Sequence, residues 1–190
     1  MFILHEPRRV PGDLAMWFFI LAELTVFAIL ILAFAVTQVL KPEVFAQGRA
    51  QLDTSTGLAM TLSLLTAGLL AALAVQQVRL GRSRQGCALL LGALLVALVY
   101  VWIKVAEYAH LAGSGLGLEY STFFTLYWVL TGFHFLHVLL GMVILGWLAW
   151  RCWQRAYQGA GLSGLESGVL YWHMVDLVWV VLFPLVYVIR

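Results

Sequence analysis

A small set of ionisable side chains stands inside otherwise apolar stretches of this sequence: Glu23, Lys104, Glu107, His110, His134, His137, His173 and Asp176. In hydrocarbon each costs about 2.5 to 3.5 kcal/mol on insertion scales unless it finds a partner. Any chemistry must therefore begin at these positions. On a helix, residues three or four apart share a face, so Lys104, Glu107 and His110 form one polar stripe. The pairs His134/His137 and His173/Asp176 form two more. For Lys104 and Glu107 the spacing predicts an intrahelical ion pair that lowers the cost of insertion, with a functional carboxylate as the alternative. Glu23 has no cation nearby in sequence and lies roughly 15 Å into its helix at about 1.5 Å per residue. It must be neutral or hydrogen-bond to another helix. Counted along their helices, Asp176 and His173 reach the inner half and His137 the middle, so a cluster shared with Glu23 is within reach. Such a cluster is either a packing network that fixes helix positions or a site of proton handling or partner contact.

The three deep histidines raise the question of heme or metal. His134 and His137, three apart on one helix, cannot bind opposite faces of the same heme. A bis-histidine heme would take one of them with His173 and strand the other. A di-iron bundle needs Glu-x-x-His repeated on two helices, and the sequence has no such repeat. No metal or heme site is expected in the chain.

The elements that carry these residues follow from composition. Of 190 residues, 63% are apolar and 11% charged, with a mean hydropathy of +0.96. Soluble domains carry about 25% charged residues, so the expectation is an all-α, polytopic membrane bundle. Five apolar runs, 14–40, 57–79, 86–111, 121–150 and 169–189, are each long enough to cross a bilayer once. They form a single membrane domain spanning 1–190, with short loops and no internal repeat. The longest polar connection lies between Pro42 and Gly57. Asp13 is a candidate N-cap for the first helix. The tail before it, with His5, Glu6, Arg8 and Arg9, does not read as a cleavable signal peptide.

Basic residues set the orientation, because positive loops resist translocation. Arg8, Arg9, Arg79, Arg82, Arg84, Arg151 and Arg155 fall on the N-terminal side, against Lys41, Arg49 and Arg190 on the other. The expectation is N-in, C-out. Trp17, Trp102, Trp150, Trp153 and Tyr157 fit aromatic belts at helix ends. Gly132 and Gly141 suit close helix packing against a partner. Cys87 and Cys152 are isolated thiols without metal or disulfide spacing. The formal charge of +2 names no partner, and nucleic acid is not expected.

Two stretches carry a family resemblance. FFTLYWVLTGFHFLHVLLG, Phe123 to Gly141, resembles the TGFHGxHVxxG segment of heme-copper oxidase subunit III. LYWHMVDLVWVVLF, Leu170 to Phe183, resembles its YWHFVDxVW helix. Glu107-Tyr108 matches the family's EY pair, and MWFFILAELTVF is similar to its helix with an acid after a small residue. The chain looks like the shortened form that lacks the first two of seven helices. Phe135 stands where the family has glycine between the histidines.

The resemblance implies a subunit without redox or catalytic centre, packed beside the catalytic subunit of a respiratory oxidase or related reductase in a bacterial inner membrane. Heme and metal would belong to that partner, with phospholipid bound at this subunit. It further implies that Glu23 is the family's buried acid near the catalytic subunit. Glu107, His134, His137, His173 and Asp176 become its buried polar framework, in a subunit that supports proton uptake by its catalytic neighbour. Within the family, the short length and the opening PGDLAMWFFILAELTVFA look most like the NorE branch, which accompanies nitric oxide reductase. The short quinol oxidase subunit III is the alternative, though it usually carries Ser-Asp where Ala22-Glu23 stands. A b-type cytochrome membrane subunit is the alternative of another class.

Overall fold

The structure, a computed structural model, describes residues 13–157 and 162–189. Within them the order is α1 (Leu14–Leu40), α2 (Pro42–Arg49), α3 (Thr54–Arg79), α4 (Ser83–Gly113), α5 (Thr122–Trp153) and α6 (Leu162–Phe183), the last continuing as a π turn over Pro184–Val188. Five of these, all but α2, are long and apolar enough to cross a membrane. Arg8, Arg9 and Arg190, which entered the expected orientation, lie outside the described residues, as does the tail before Asp13.

Three helices, α3, α4 and α6, begin earlier than their apolar runs, and at α3 a polar residue caps the start. Asp53 accepts from the backbone N–H groups of Ser55 (3.1 Å) and Thr56 (3.2 Å), which starts α3 at Thr54 rather than 57. Ser121 accepts from Phe124 N–H at 3.4 Å and starts α5. α4 starts at Ser83 and α6 at Leu162, before the expected 86 and 169. Asp13 occupies the expected N-cap of α1, yet its side chain makes no capping bond; its backbone N–H donates to Ser167 Oγ of α6 at 3.0 Å. Hydroxyls inside the spans satisfy themselves locally. Thr25, Thr37, Thr61, Thr66 and Thr131 each donate to the carbonyl four residues back, which hides a polar group from hydrocarbon.

The connection from Pro42 to Gly57, expected as polar loop, contains helix α2. Pro42 opens it, a position where the missing N–H costs nothing. Phe45 anchors it, fully buried with its ring centroid 5.0 Å from Phe34 and 5.3 Å from Phe123. Gly48 faces the Phe123 ring so closely that a Cβ would overlap it. At the α3–α4 turn, Gly81 takes a φ of +76°, a conformation that L side chains rarely adopt.

α3 and α4 form the most extensive contact, closed by small residues: Ala67, Ala71 and Ala74 on one side and Ala93 and Ala97 on the other are fully buried. α4 then packs on α5, and α6 lies against α3, α5 and α1. α1 joins the bundle by a single stripe, Ile20, Phe27 and Phe34, spaced seven residues apart. Most of its remaining surface faces outward.

Gly141 is spent within the chain, since a Cβ there would lie 2.9 Å from the Trp172 ring, whereas Gly132 faces open space. Trp150 and Trp153 are exposed at the end of α5, as an aromatic belt requires; Trp102 is exposed but lies well inside α4, and Tyr157 is buried, at 7% exposure. Cys87 and Cys152 are free and buried, bonding to the carbonyls of Ala149 and Ser83.

Candidate functional site

The polar side chains inside the spans sort into three places. The first surrounds Lys104, which is fully buried. Its ammonium donates to Glu107 Oε2 at 2.6 Å, to the Tyr127 hydroxyl at 3.0 Å and to the Tyr187 hydroxyl at 3.1 Å, which uses all three of its protons. Tyr187 in turn donates to the Glu107 carboxylate at 2.9 Å. The rings of Tyr108 and Trp179 stand 4.8 and 5.5 Å from the ammonium and add their π systems to the enclosure. Thr131 gives its proton to the Tyr127 carbonyl at 2.7 Å, so the 2.9 Å contact with Tyr108 is donated by Tyr108. The π turn after α6 serves this site by bringing Tyr187 onto α4. His110 shares the helix face but is exposed, and with Glu107 it lines a cavity of about 370 Å³ between α3 and α4.

The second place joins α1 to α5. His137 Nδ1 lies 2.8 Å from the Phe133 carbonyl, and Nε2 lies 2.9 Å from Glu23 Oε2. A carbonyl only accepts, so Nδ1 carries a proton. The Nε2 contact then needs one further proton, on the imidazole or on the carboxyl, which the two groups share. Phe27 closes the site edge-on to His137 at 5.0 Å. Tyr171 donates to the His137 carbonyl at 3.3 Å and ties α6 to this turn of α5.

The third place lies between α6 and α3. Asp176 Oδ2 is 3.7 Å from His173 Nδ1. Gly68 of α3 stands against this carboxylate, and a Cβ there would overlap Oδ2. Asp176 is 5% exposed and its Oδ1 has no partner among the described residues.

The expected shared cluster is thus divided. Glu23 and His137 pair across α1 and α5, while His173 and Asp176 turn toward α3, because depth along a helix does not fix the direction a side chain faces. His134 joins neither pair. It is fully buried, lies flat on Trp179 at 5.1 Å and meets Tyr100 edge-on at 6.1 Å, with no hydrogen bond to either ring nitrogen among the described residues. Tyr100 Oη is likewise unpaired. Among the described residues no group of three or more His, Cys, Asp or Glu side chains is placed to hold a metal ion. Tyr127, Tyr187 and Thr131 were not among the sequence candidates; their hydroxyls inside apolar runs were the available signal.

Outside the spans, the hydroxyl of Ser55, then that of Thr56 and the Ser55 backbone amide, hold the exposed Asp53 carboxyl down at about 2. Arg49 is lowered by burial; its guanidinium donates to the carbonyls of Val186 (3.3 Å) and Leu185 (3.2 Å), fastening α2 to the end of the π turn.

Residues 11–189 match the family model for cytochrome c oxidase subunit III. The chain belongs to that family and is a multi-pass membrane protein. It is 31% identical over 181 residues to the heme-copper oxidase subunit I+III of Aeropyrum pernix, covering 92% of this chain and 22% of that protein. It is 39% identical over 95 residues to the cytochrome c oxidase subunit 3 of Synechocystis, half of this chain and 40% of the relative. Both matches span less than half the relative's length. The probable quinol oxidase subunit 3 of Staphylococcus aureus is 28% identical over 178 residues, covering 94% of this chain and 89% of that one.

Proposed function

We propose that this chain is a non-catalytic accessory subunit of a bacterial respiratory complex of heme-copper type, held in the inner membrane and carrying no redox cofactor of its own. The observation that supports this reading is that two of its three buried polar groupings are closed by their own side chains. Lys104 is closed in by Glu107, Tyr127 and Tyr187, and Glu23 is taken by His137. A bundle arranged in this way fixes helices and presents a surface to a neighbour. The N-in orientation is supported by Arg79, Arg82, Arg84, Arg151 and Arg155, which share one end of the bundle opposite Lys41 and Arg49. The thinly packed α1 offers an apolar flank for phospholipid. The Glu23–His137 pair, holding one proton between two groups, is the place where this subunit would support proton uptake by its partner.

The catalytic partner in this reading is a nitric oxide reductase, as for the NorE branch, supported by the short five-span form and by Ala22-Glu23 in α1. Quinol oxidase is the second reading, favoured by the match across 89% of the Staphylococcus aureus subunit. The test is purification of a tagged chain from native membranes in mild detergent. Mass identification of a co-purifying catalytic subunit decides between the two, and recovery of the chain without any such subunit contradicts both.

A further inference from the structure

Positive charge is concentrated where α3 and α5 end and α4 begins. Among the described residues this end of the bundle holds Arg79, Arg82, Arg84, Arg151 and Arg155, with Asp13 and Glu166 as its acids. Glu166 is taken by Arg79 at 2.7 Å, and Asp13 stands apart at the start of α1. A bias of arginine to one end is what orientation requires, and arginines on loops that never meet would satisfy it equally. Here Arg82 and Arg84 of the α3–α4 turn and Arg155 from the end of α5 line one cavity of about 390 Å³. Ser83 and Gln85 add a hydroxyl and an amide to its wall, and no carboxylate lines it among the described residues.

The backbone at Arg155 shows that its side chain is held there against local preference. α3 and α5 close with the same turn: Arg82 N–H donates to the Gln77 carbonyl at 2.9 Å, and Ala156 N–H donates to the Arg151 carbonyl at 3.1 Å. Each such bond needs a left-handed residue just before the donor. After α3 that residue is Gly81, at φ +76°; after α5 it is Arg155, at φ +56°, the one non-glycine residue with a positive φ among the described residues. Glycine takes this conformation freely and arginine does not. A side chain kept at such a position points to a use for that side chain, and what the position gives Arg155 is a place beside Arg82 and Arg84.

Three guanidinium groups at one opening attract an anion, and their planar N–H forks match the oxygens of a phosphate. Depth favours a phosphate carried on lipid. Trp150 and Trp153, exposed on the last turn of α5, stand at the level where indole rings meet lipid head groups, and Arg155 follows two residues later. On α4, Ala88, Leu91 and Leu95 continue the face of Arg84 at spacings of four, seven and eleven, and all three are exposed. Exposed apolar residues are ordinary in a span. This row, however, starts at the arginine, so an acyl chain can lie along it while its head group stays at the cavity.

We propose that this cavity binds the phosphate group of an anionic phospholipid, held by Arg82, Arg84 and Arg155, with an acyl chain along Ala88, Leu91 and Leu95. The site is separate from the apolar flank of α1 and does not depend on which catalytic subunit the chain accompanies. Free phosphate is the other source of the same chemistry, and the test separates the two.

For the test, the full chain in mild detergent is mixed with equal amounts of phosphatidylglycerol and phosphatidylcholine of matched acyl chains, and retained lipid is counted by native mass spectrometry. The expected result is a preference for phosphatidylglycerol that falls about fivefold with each of Arg82→Gln, Arg84→Gln and Arg155→Gln, which is about 1 kcal/mol per arginine near a membrane surface. Lys41→Gln, at the opposite end of the bundle, leaves the preference unchanged. The three arginines are exposed, so these replacements keep the fold, which the unfolding temperature checks. Arg155→Gly separates binding from structure: glycine suits the left-handed turn, so the unfolding temperature holds or rises while phosphatidylglycerol retention drops by the same factor. Equal retention by the native chain and the triple Gln replacement overturns the site. Displacement of phosphatidylglycerol by millimolar inorganic phosphate overturns the lipid assignment in favour of the free anion.

Discussion

Glu23 of α1 and His137 of α5 meet at 2.9 Å between Oε2 and Nε2, across 114 positions of sequence, and the Phe133 carbonyl fixes the proton on the opposite nitrogen of the imidazole. The pair is the principal polar link between α1 and the rest of the bundle, which otherwise holds that helix by the stripe Ile20, Phe27 and Phe34. Removing either member leaves the other as a lone polar group at depth. Glu23→Leu and His137→Leu are each expected to lower stability by about 1 to 3 kcal/mol, and the double replacement to lose less than the sum. Glu23→Gln keeps a hydrogen-bonding partner and should leave the subunit folded while lowering proton-coupled turnover of its partner. Thermal unfolding in detergent, read beside activity of the intact complex, checks both; unchanged turnover with Glu23→Gln removes the proton role.

Lys104 gives a sharper stability test because its ammonium is fully buried. Lys104→Met leaves the Glu107 carboxylate without its cation, and breaking a buried pair from one side costs about 3 to 5 kcal/mol. Lys104→Met combined with Glu107→Gln is expected to recover most of that loss. A double-mutant cycle on unfolding free energy measures the coupling; additive losses would show that the pair contributes nothing as a pair.

At Gly141 the prediction is steric. A Cβ there would lie 2.9 Å from the Trp172 ring, and Trp172 is fully buried with no room to retreat. Gly141→Ala should cost about 1 to 3 kcal/mol by overpacking, while Gly132→Ala, facing open space, should be nearly neutral. Comparison of the two unfolding temperatures in the same detergent decides it.

Asp53 provides the pH dependence. Its carboxyl is held at about 2 in the folded chain, below the ordinary value of about 3.9. Being depressed, it stabilises the fold above the ordinary value, and that contribution is lost as pH falls through about 4 toward 2. The stability difference between the native chain and Asp53→Asn should therefore be constant above about pH 5 and shrink progressively as pH falls, most of it gone by about pH 2 and the rest below both values. A difference that keeps its full size down to about pH 2 would assign the capping of α3 to something other than the ionised carboxylate.

How much of this was readable beforehand depends on the range of the interaction. The five spans follow from composition, and the approach of Lys104 to Glu107 follows from a spacing of three on one helix. α2 was hidden because Phe45, held by Phe34 and Phe123, makes it a helix; no local apolar pattern announces it. The enclosure of Lys104 was hidden for a similar reason, since Tyr127 and Tyr187 arrive from 23 and 83 positions away and the second depends on the π turn after Pro184. The division of the expected cluster into Glu23–His137 and His173–Asp176 was equally invisible, as sequence gives a residue's depth on its helix but not which neighbour it faces.

The most direct measurement for the accessory reading is the absorption spectrum of the purified complex before and after this chain is separated from its partners. The account predicts that heme absorbance stays with the large catalytic subunit and that the separated chain is colourless. Heme retained by the isolated chain, and lost on replacing His134, His137 or His173, would contradict it.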